Sequence, residues 1–464
     1  MKKILIILLF CFNTVGFTQE AQNTLTLEEY LGYVKKYHPL LKQAELTTSN
    51  GEAKLLKARG AFDPKIEVDY TRKNFKSTEY YNNLNTTFKI PTWYGIDFKA
   101  SYENNNGYYL NPELKTPKNG LYAAGISMSL AKGLLINKRM ASLKQAKLYR
   151  KQSIEKQNLL VNEILYNAIN SYFNWLKNYQ IQLVYSNYLT NAKTRLNNIK
   201  KSFFAGDKPA VDTLEANINL KNRLLDLEKS KINHIKSKLE LSNYLWLNDD
   251  IPLELNDLIT PDINTISTID TVLGNSLMIA NNFNTNNHPK LRVLELKKES
   301  FQVARKLKLN NLLPKVNFQY NFLTSDYQNI NTFSASNYKG ALSISLPLFL
   351  KKERADIKLT NLKLKEVDFD ISVTKVTIDN KIKSNTEQIN SYKKQNKILN
   401  NLAKNYKQLL KSEERKFYLG EGSMFLINYR EVKSIENELK LIKVQFSYFK
   451  SKSNLLKTLN SFSI

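Results

Sequence analysis

Three histidines, His38, His234 and His288, are the only imidazoles in the chain, and none of their separations is a metal-ligand spacing. His38 and His288 each precede a proline, which suits the entry to a helix rather than a metal site. There is no glycine-rich phosphate loop, and the Ser and Asp residues lack the context of an activated nucleophile. The only cysteine, Cys11, follows Leu8-Leu9-Phe10, which lacks the small residue that a lipid-attachment cleavage site needs. No enzymatic activity, metal or cofactor is expected. One carboxylate pair stands out. Asp212 and Glu215 are three apart, just after Pro209, so a helix starting there carries both on one face of its first turns. Its dipole favours negative charge there. The pair either draws cations to an opening or is ordinary charge at a helix start.

The elements that position these residues come from a duplication. Residues 38–70 match 288–320 without a gap, at an offset of 250. His38-Pro39 returns as His288-Pro289, Leu41 as Leu291, Glu45-Leu46 as Glu295-Leu296, Pro64-Lys65 as Pro314-Lys315, and Tyr70 as Tyr320. The offset falls to 216 at Ser127/Ser343 and Ser129/Ser345, and to 214 at Gly206/Gly420. The extra length of the first copy therefore lies between Tyr70 and Gly125, where a surface loop or hairpin is expected, because packed elements tolerate insertion poorly. A fixed internal period argues for one elongated, repeated unit rather than several unrelated domains.

Met1 to about Thr18 reads as a secretory signal: Lys2 and Lys3 precede an apolar stretch, Ile4 to Phe12, too short to span a bilayer. Without Cys11, the mature chain has no thiol for a disulfide or a cysteine metal site. The formal charge of +27 could suit nucleic acid, but export removes the protein from it. The lysines are scattered between apolar positions, which reads as a solvated helix face, or else as contact with anionic lipid headgroups.

Thr26-Leu-Glu-Glu29 has the form of a capping box and opens a helix reaching about Gly60, with a break near Pro39. Period-two alternation marks strands at Ile66-Val68-Tyr70, along the even positions from Phe88 to Tyr102, at Tyr122 to Leu130, at Val316 to Phe322, and at Leu342 to Leu346. These make five segments, whereas a chain that enters and leaves a barrel on one side needs an even number. Either Pro91 divides an extra hairpin, or part of 86–103 is an external loop. Lys138–Phe204 and Lys351–Leu419 contain neither proline nor glycine, and each predicts a helix of about 100 Å. Val161, Leu165, Ala168, Tyr172, Trp175 and Tyr179, and later Val432, Ile435, Leu439, Ile442, Phe446 and Phe449, have the spacing of coiled-coil seams. Turns at Gly206-Asp207-Lys208-Pro209 and Gly420-Glu421-Gly422-Ser423 send each long helix into a return helix, to about Leu247 and Leu459. The chain thus divides into a signal (1–18), a first repeat (19–250; strands about 64–131, helical hairpin 138–247), a connector (251–287) and a second repeat (288–464; strands about 314–347, helical hairpin 351–459).

Leu25-Thr-Leu-Glu-Glu29 with His38-Pro39, Pro64, the tip Gly206…Asp212-Thr-Leu-Glu215-Ala216, and Ser343-Ile-Ser-Leu-Pro-Leu-Phe349 resemble the TolC-type outer-membrane efflux proteins. The resemblance covers nearly the whole mature chain and lies in the order, doubling and spacing of its motifs. His38 and His288 stand where that family usually has Asn, and Leu426 and Tyr429 stand where the first tip has Asp212 and Glu215.

The resemblance implies a mainly α fold with a β-barrel part, in which three chains build one tube of long coiled-coil α-barrel helices and a shared outer-membrane β-barrel. It implies a homotrimer in outer-membrane lipid, with a long periplasmic extension, a periplasmic adaptor at the tips (206–211 and 420–425) and an inner-membrane pump of the RND or ABC class. Asp212 and Glu215 then stand where that family closes its periplasmic end. The activity implied is a passive exit duct for small molecules. A protein-secretion duct, or a coiled-coil stalk or adhesin without transport, are the other readings. The physics agrees. No apolar run of about 18 residues follows the signal, so a membrane helix is not expected. A closed barrel is the other way to satisfy a backbone in lipid. Four or so strands fall short of the bacterial minimum of about eight, so a spanning barrel requires oligomerisation.

Overall fold

The computed structural model describes residues 24–274, 276–326, 328 and 333–462. The signal-sequence expectation, with Cys11, lies outside the described residues. The chain forms two compact units, and each draws segments from both sequence repeats. One comprises residues up to His38, Leu165–Ser276 and Glu387–Ser453; the other comprises Pro39–Ile164, Leu277–Thr386 and Asn454 onward.

The second of these units carries the six-stranded sheet. Helix α2 (Pro39–Arg59) leads into β2 (Lys65–Phe75), and its repeat α7 (Pro289–Asn310) leads into β7 (Lys315–Thr324). With β3 (Thr78–Pro91), β4 (Ile96–Asn106), β5 (Leu121–Ser129) and β8 (Tyr338–Ser345), they form one sheet in the order β2-β3-β4-β5-β7-β8. Every pairing is antiparallel. The alternation read as one strand from Phe88 to Tyr102 is in fact two strands. Pro91 ends β3, Thr92 closes a tight turn through its N–H and hydroxyl to the Ile96 carbonyl, and Gly95 takes φ +70°. The extra hairpin is therefore real, and the strand count becomes even. Residues 78–87 gave no strand signal because Asn82, Asn83, Asn85, Thr86 and Thr87 interrupt the alternation. Pairing on both sides makes this stretch a strand.

Helix α3 (Lys138–Phe204) follows β5, and Asn137 caps it: its side-chain oxygen accepts from Met140 N at 2.9 Å. Ile136, Met140 and Ala141 form a small core with Trp93, Val303 and Leu307. The long helix α8 (Lys351–Tyr418) follows β8. Its start and that of α3 match the expected positions, because nothing after Lys138 or Lys351 breaks the backbone hydrogen-bond ladder.

The other unit is helical. It contains α1 (Leu27–Tyr37), whose N-cap Thr26 accepts from Glu29 N at 3.2 Å, as the capping-box reading requires. Strand β1 (Thr24–Leu25) pairs in parallel with β6 (Thr260–Pro261) in the connector, which also holds α5 (Thr265–Val272). Helix α6 (Ser276–Asn281) follows in the connector, and all of it but Ser276 belongs to the strand-bearing unit. The ends of α3 and α8 turn into α4 (Ala210–Ser242) and α9 (Met424–Leu459). Helix α4 stops short of the expected Leu247 because the chain folds back: Leu247 and Leu253 donate to the carbonyls of Ile251 and Leu245. Pro209 lies just before α4 rather than in its first turn; its ψ of 156° keeps it outside the helix.

The first seam is buried as expected from Val161 through Leu165, Ala168, Tyr172 and Trp175, and its last member, Tyr179, is only half-buried. The second departs at its start: Val432 is exposed, and Glu431 and Ser434 face inward instead.

Candidate functional site

The sheet has two chemically distinct faces. Along its apolar face, Ile66 stands opposite Phe88, Phe88 opposite Ala100, Phe98 opposite Ile126, Ile126 opposite Tyr320, and Phe318 opposite Leu342. The apolar band thus runs unbroken across all six strands. The alternate face pairs Glu67 with Thr87, Lys89 with Lys99, Asp97 with Ser127, Ser127 with Gln319, and Asn317 with Ser343. Asp97 is held there by Lys89 at 3.1 Å and by Arg139 at 2.8 Å. Aromatic rings gather at both ends of the hairpins. Tyr80, Tyr108 and Tyr109 cluster beyond β4, with Tyr80 and Tyr109 centroids 4.6 Å apart; Phe62 stacks on Trp93 at the opposite end. An apolar outer band between aromatic girdles, backed by a polar face, is the pattern of a lipid-spanning barrel wall. Strand lengths of 8 to 14 residues bracket the 9 to 11 or so that a tilted spanning strand needs. Among the described residues, no helix is long and apolar enough to cross a membrane.

The two helical tips are near-copies. Gly206 and Gly420 both take φ +83°, and a side chain at either would meet open space. The residue after each glycine donates to the carbonyl five positions back: Asp207 N to Ser202 O, and Glu421 N to Lys416 O, both at 2.9 Å. The glycines themselves bond to Phe203 O and Phe417 O. This is the Schellman arrangement, which satisfies the last helical carbonyls through a left-handed residue. Lys208 lies over the Phe417 ring at 4.2 Å, and the Ser423 hydroxyl accepts from Leu426 N at 3.3 Å. Gly422 packs its Cα side against the Phe417 backbone. Phe204, Leu419 and Phe425 stand largely exposed around these turns. Behind them, Leu196, Ile199, Ala216, Phe417, Met424 and Ile427 form the core that holds the tips together.

Asp212 and Glu215 do lie in the first turns of α4, both half-exposed. They differ in their surroundings, which spacing could not reveal. Glu215 accepts from Asn428 of α9 at 2.8 Å, and Asn428 is in turn bonded to Asn219. Asn219 accepts from Arg223, which opens onto a buried ionic cluster that sequence reading missed. Glu431 is fully buried between Arg195 at 2.6 Å and Arg223 at 3.2 Å. Arg195 also reaches Glu414 at 2.7 Å, and Arg223 reaches Asp226 at 3.0 Å. Burial by itself would lower the Arg195 pKa, but Glu431 and Glu414 outweigh it, so the guanidinium is held more firmly charged than usual. Nearby, Tyr188 donates to Glu438 at 3.2 Å, and burial pushes its phenol well up. Arg195 and Arg223 are buried, and so are Lys238 and Lys452, for which the solvated-face reading of the lysines is wrong. The seam pattern gave no signal for the ionic cluster, because Glu431 lies one position before the expected seam residue, Val432.

The histidines are structural. His38 and His288 adopt nearly the same backbone angles, with ψ 125° and 130°, at the equivalent helix entries. His288 Nδ1 accepts from Lys290 N at 3.0 Å, the bond that an N-cap Asn would make. His234 accepts from Trp175 Nε1 at 3.0 Å through Nε2 and meets Gln182 Oε1 at 2.6 Å through Nδ1, which fixes a neutral ring protonated at Nδ1. Among the described residues, no group of three or more His, Cys, Asp or Glu is placed to hold a metal ion.

No protein-family model and no curated protein matches this sequence. Solved structures do. The Campylobacter jejuni CmeC outer membrane channel is 14% identical, with a TM-score of 0.65, over 93% of this chain and 85% of that one. The Vibrio cholerae outer membrane protein VceC is 12% identical, with a TM-score of 0.65, over 93% and 95%. The Neisseria gonorrhoeae MtrE outer membrane channel, in its open state, is 12% identical, with a TM-score of 0.64, over 93% and 88%. Long helices in two tip-forming pairs, a duplicated helix–strand entry and an antiparallel sheet with one apolar face agree with that likeness over almost the full length: this chain has the TolC-type outer-membrane channel fold.

Proposed function

We propose that the protein is a passive exit duct of the outer membrane, working as a homotrimer that an inner-membrane RND or ABC pump loads through a periplasmic adaptor. The observation that carries this reading is the sheet: one face is apolar across six strands, the other is polar, and both edges are free. Such a sheet cannot satisfy its edge groups in lipid until copies close it. The channel fold and the exposed apolar residues at the glycine turns support the assignment of 206–211 and 420–425 to the adaptor. Transport follows the gradient that the pump creates, with no chemical step in this chain. Outer-membrane fractions run unheated on a gel should contain a trimer, and the purified trimer should form pores in a planar bilayer. A stable trimer without conductance would favour the stalk reading instead.

Asp212 and Glu215 line the periplasmic entrance in this reading, six carboxylates around one axis in a trimer. Crowded like charges favour bound cations or partial protonation. Single-channel recording of Asp212→Ala with Glu215→Ala should show lower cation selectivity and weaker block by multivalent cations. Unchanged selectivity and block would move the gate to other residues.

A further inference from the structure

The two repeats do not contribute equally to the sheet. In the second repeat β7 and β8 pair directly, with Val316 opposite Ile344, Phe318 opposite Leu342 and Tyr320 opposite Gly340. Their first-repeat equivalents are β2 and β5, and these do not touch: β3 and β4 lie between them. Offsets of 250 and 216 translate the β7–β8 register into Ile66 opposite Met128, Val68 opposite Ile126, and Tyr70 opposite Ala124. All six of these residues lie on the apolar face, so the ungapped pairing would be a sound sheet. The β3–β4 hairpin is therefore an insertion of two strands. Adding two preserves the alternation of strand direction, whereas adding one would force a parallel pair.

The free edges can be assigned by the same translation. Strands β2 and β8 are exposed along their whole length, with Ile66 at 70% and Ile344 at 68%. Six antiparallel strands leave β8 running opposite to β2, so β8 of one copy can extend onto β2 of the next with the ladder unchanged. Within the chain, the equivalent junction between repeats already exists: it is the β5–β7 pairing, with Ile126 opposite Tyr320, Ser127 opposite Gln319, Met128 opposite Phe318, and Ser129 opposite Asn317.

We propose that the inserted hairpin widens the barrel and that copies of this chain join β8 to β2 in the register of the internal β5–β7 junction. That register places Leu342 opposite Tyr70 of the next copy, Ser343 opposite Asp69, Ile344 opposite Val68, and Ser345 opposite Glu67. Apolar residues meet apolar residues outside, and hydroxyls meet carboxylates inside. Farther up, the register would set Lys339 against Lys73, next to the bulge between Lys73 and Asn74, so the junction ends near Thr71. The proposal rests on the trimeric duct reading in its strand total. Three copies of six strands close a barrel of eighteen; without the insertion they would close one of twelve. Barrel diameter grows nearly in proportion to strand number, so the outer mouth is about 1.5-fold wider than the uninserted trimer would have.

Cysteine pairs across the junction and a deletion of the hairpin test this. Ser343→Cys with Asp69→Cys, in a chain whose one natural cysteine is Cys11, should oxidise to a covalent trimer on a denaturing, non-reducing gel, because facing strand residues lie within disulfide reach. Ser343→Cys paired with Glu67→Cys or Thr71→Cys should link far less. Unheated trimers that link only in an off-register pair, or in none, would overturn the junction and leave the duct reading intact. Absence of trimers altogether would remove the duct reading itself. Deletion of residues 76–106 should leave a trimer with β2 paired to β5. Its polymer-exclusion limit, measured with polyethylene glycols added from each side in turn, should fall on one side only. A trimer whose limits match those of the full chain on both sides would overturn the widening.

Discussion

Glu431 shows how a single buried carboxylate is tolerated. Its desolvation is offset only because Arg195 and Arg223 both face it, and each guanidinium is further paired with Glu414 or Asp226. Removing one member leaves uncompensated charge in the interior, which costs about 3–5 kcal/mol. Glu431→Gln should therefore lower the denaturant midpoint of the purified protein, followed by helical circular dichroism. Glu228→Gln, which breaks the exposed pair with Lys231, should leave it unchanged. The histidines give a pH dependence. Burial lowers the pKa of His38, His234 and His288 below the usual 6.5, with Lys238 adding to the effect at His234 and Lys290 at His288. A ring harder to protonate when folded means that the unfolded chain takes up more protons, so this stability is fully present above pH 6.5 and is lost as pH falls below it. His38→Asn and His288→Asn with His234→Gln should flatten the decline of melting temperature between pH 6.5 and 5. An equal decline in that triple variant would assign it to other groups.

The helical hairpins depend on their turns. Gly206 and Gly420 have the same left-handed φ, which costs an ordinary residue roughly 1–2 kcal/mol and a β-branched one more. Nothing crowds either site, so substitution distorts the tip without disturbing the core behind it. Gly206→Val with Gly420→Val should keep the trimer on an unheated gel and abolish export from cells. Normal export from that double variant would place adaptor docking elsewhere. The same pair of elements shows where spacing misleads. A heptad pattern put Val432 in the seam, but the two arginines across the interface draw Glu431 inward, and Val432 is left outside.

For the molecule as a whole, the proposed duct depends on the sheet, whose apolar and polar faces suit different solvents. Neighbouring residues in one strand test this. Ile126 lies on the apolar face between Phe98 and Tyr320, and Ser127 lies on the polar face between Asp97 and Gln319. A lysine facing lipid near the bilayer centre costs about 2–4 kcal/mol, whereas one facing water costs little. Ile126→Lys should sharply reduce the trimer recovered from outer membranes, and Ser127→Lys should preserve yield while shifting ion selectivity toward anions. Equal loss in both variants would mean that the sheet does not divide lipid from water.

The duplication, the long helices and their glycine turns could all be read from the sequence because each is local. Lys138–Phe204 forms a helix since no residue within it interrupts the ladder, and Gly206 ends it since a left-handed position favours glycine. The carboxylates Asp212 and Glu215 could be placed on a helix start for the same reason. Tertiary structure alone decided the rest. Thr78–Pro91 is a strand because β2 and β4 flank it, not because of its own Asn- and Thr-rich pattern. Glu215 is tied to Asn428, and Arg195 to Glu431, across helices more than two hundred residues apart in sequence. Periodicity reports which residues share a face. It carries no information about which distant charge or strand that face will meet.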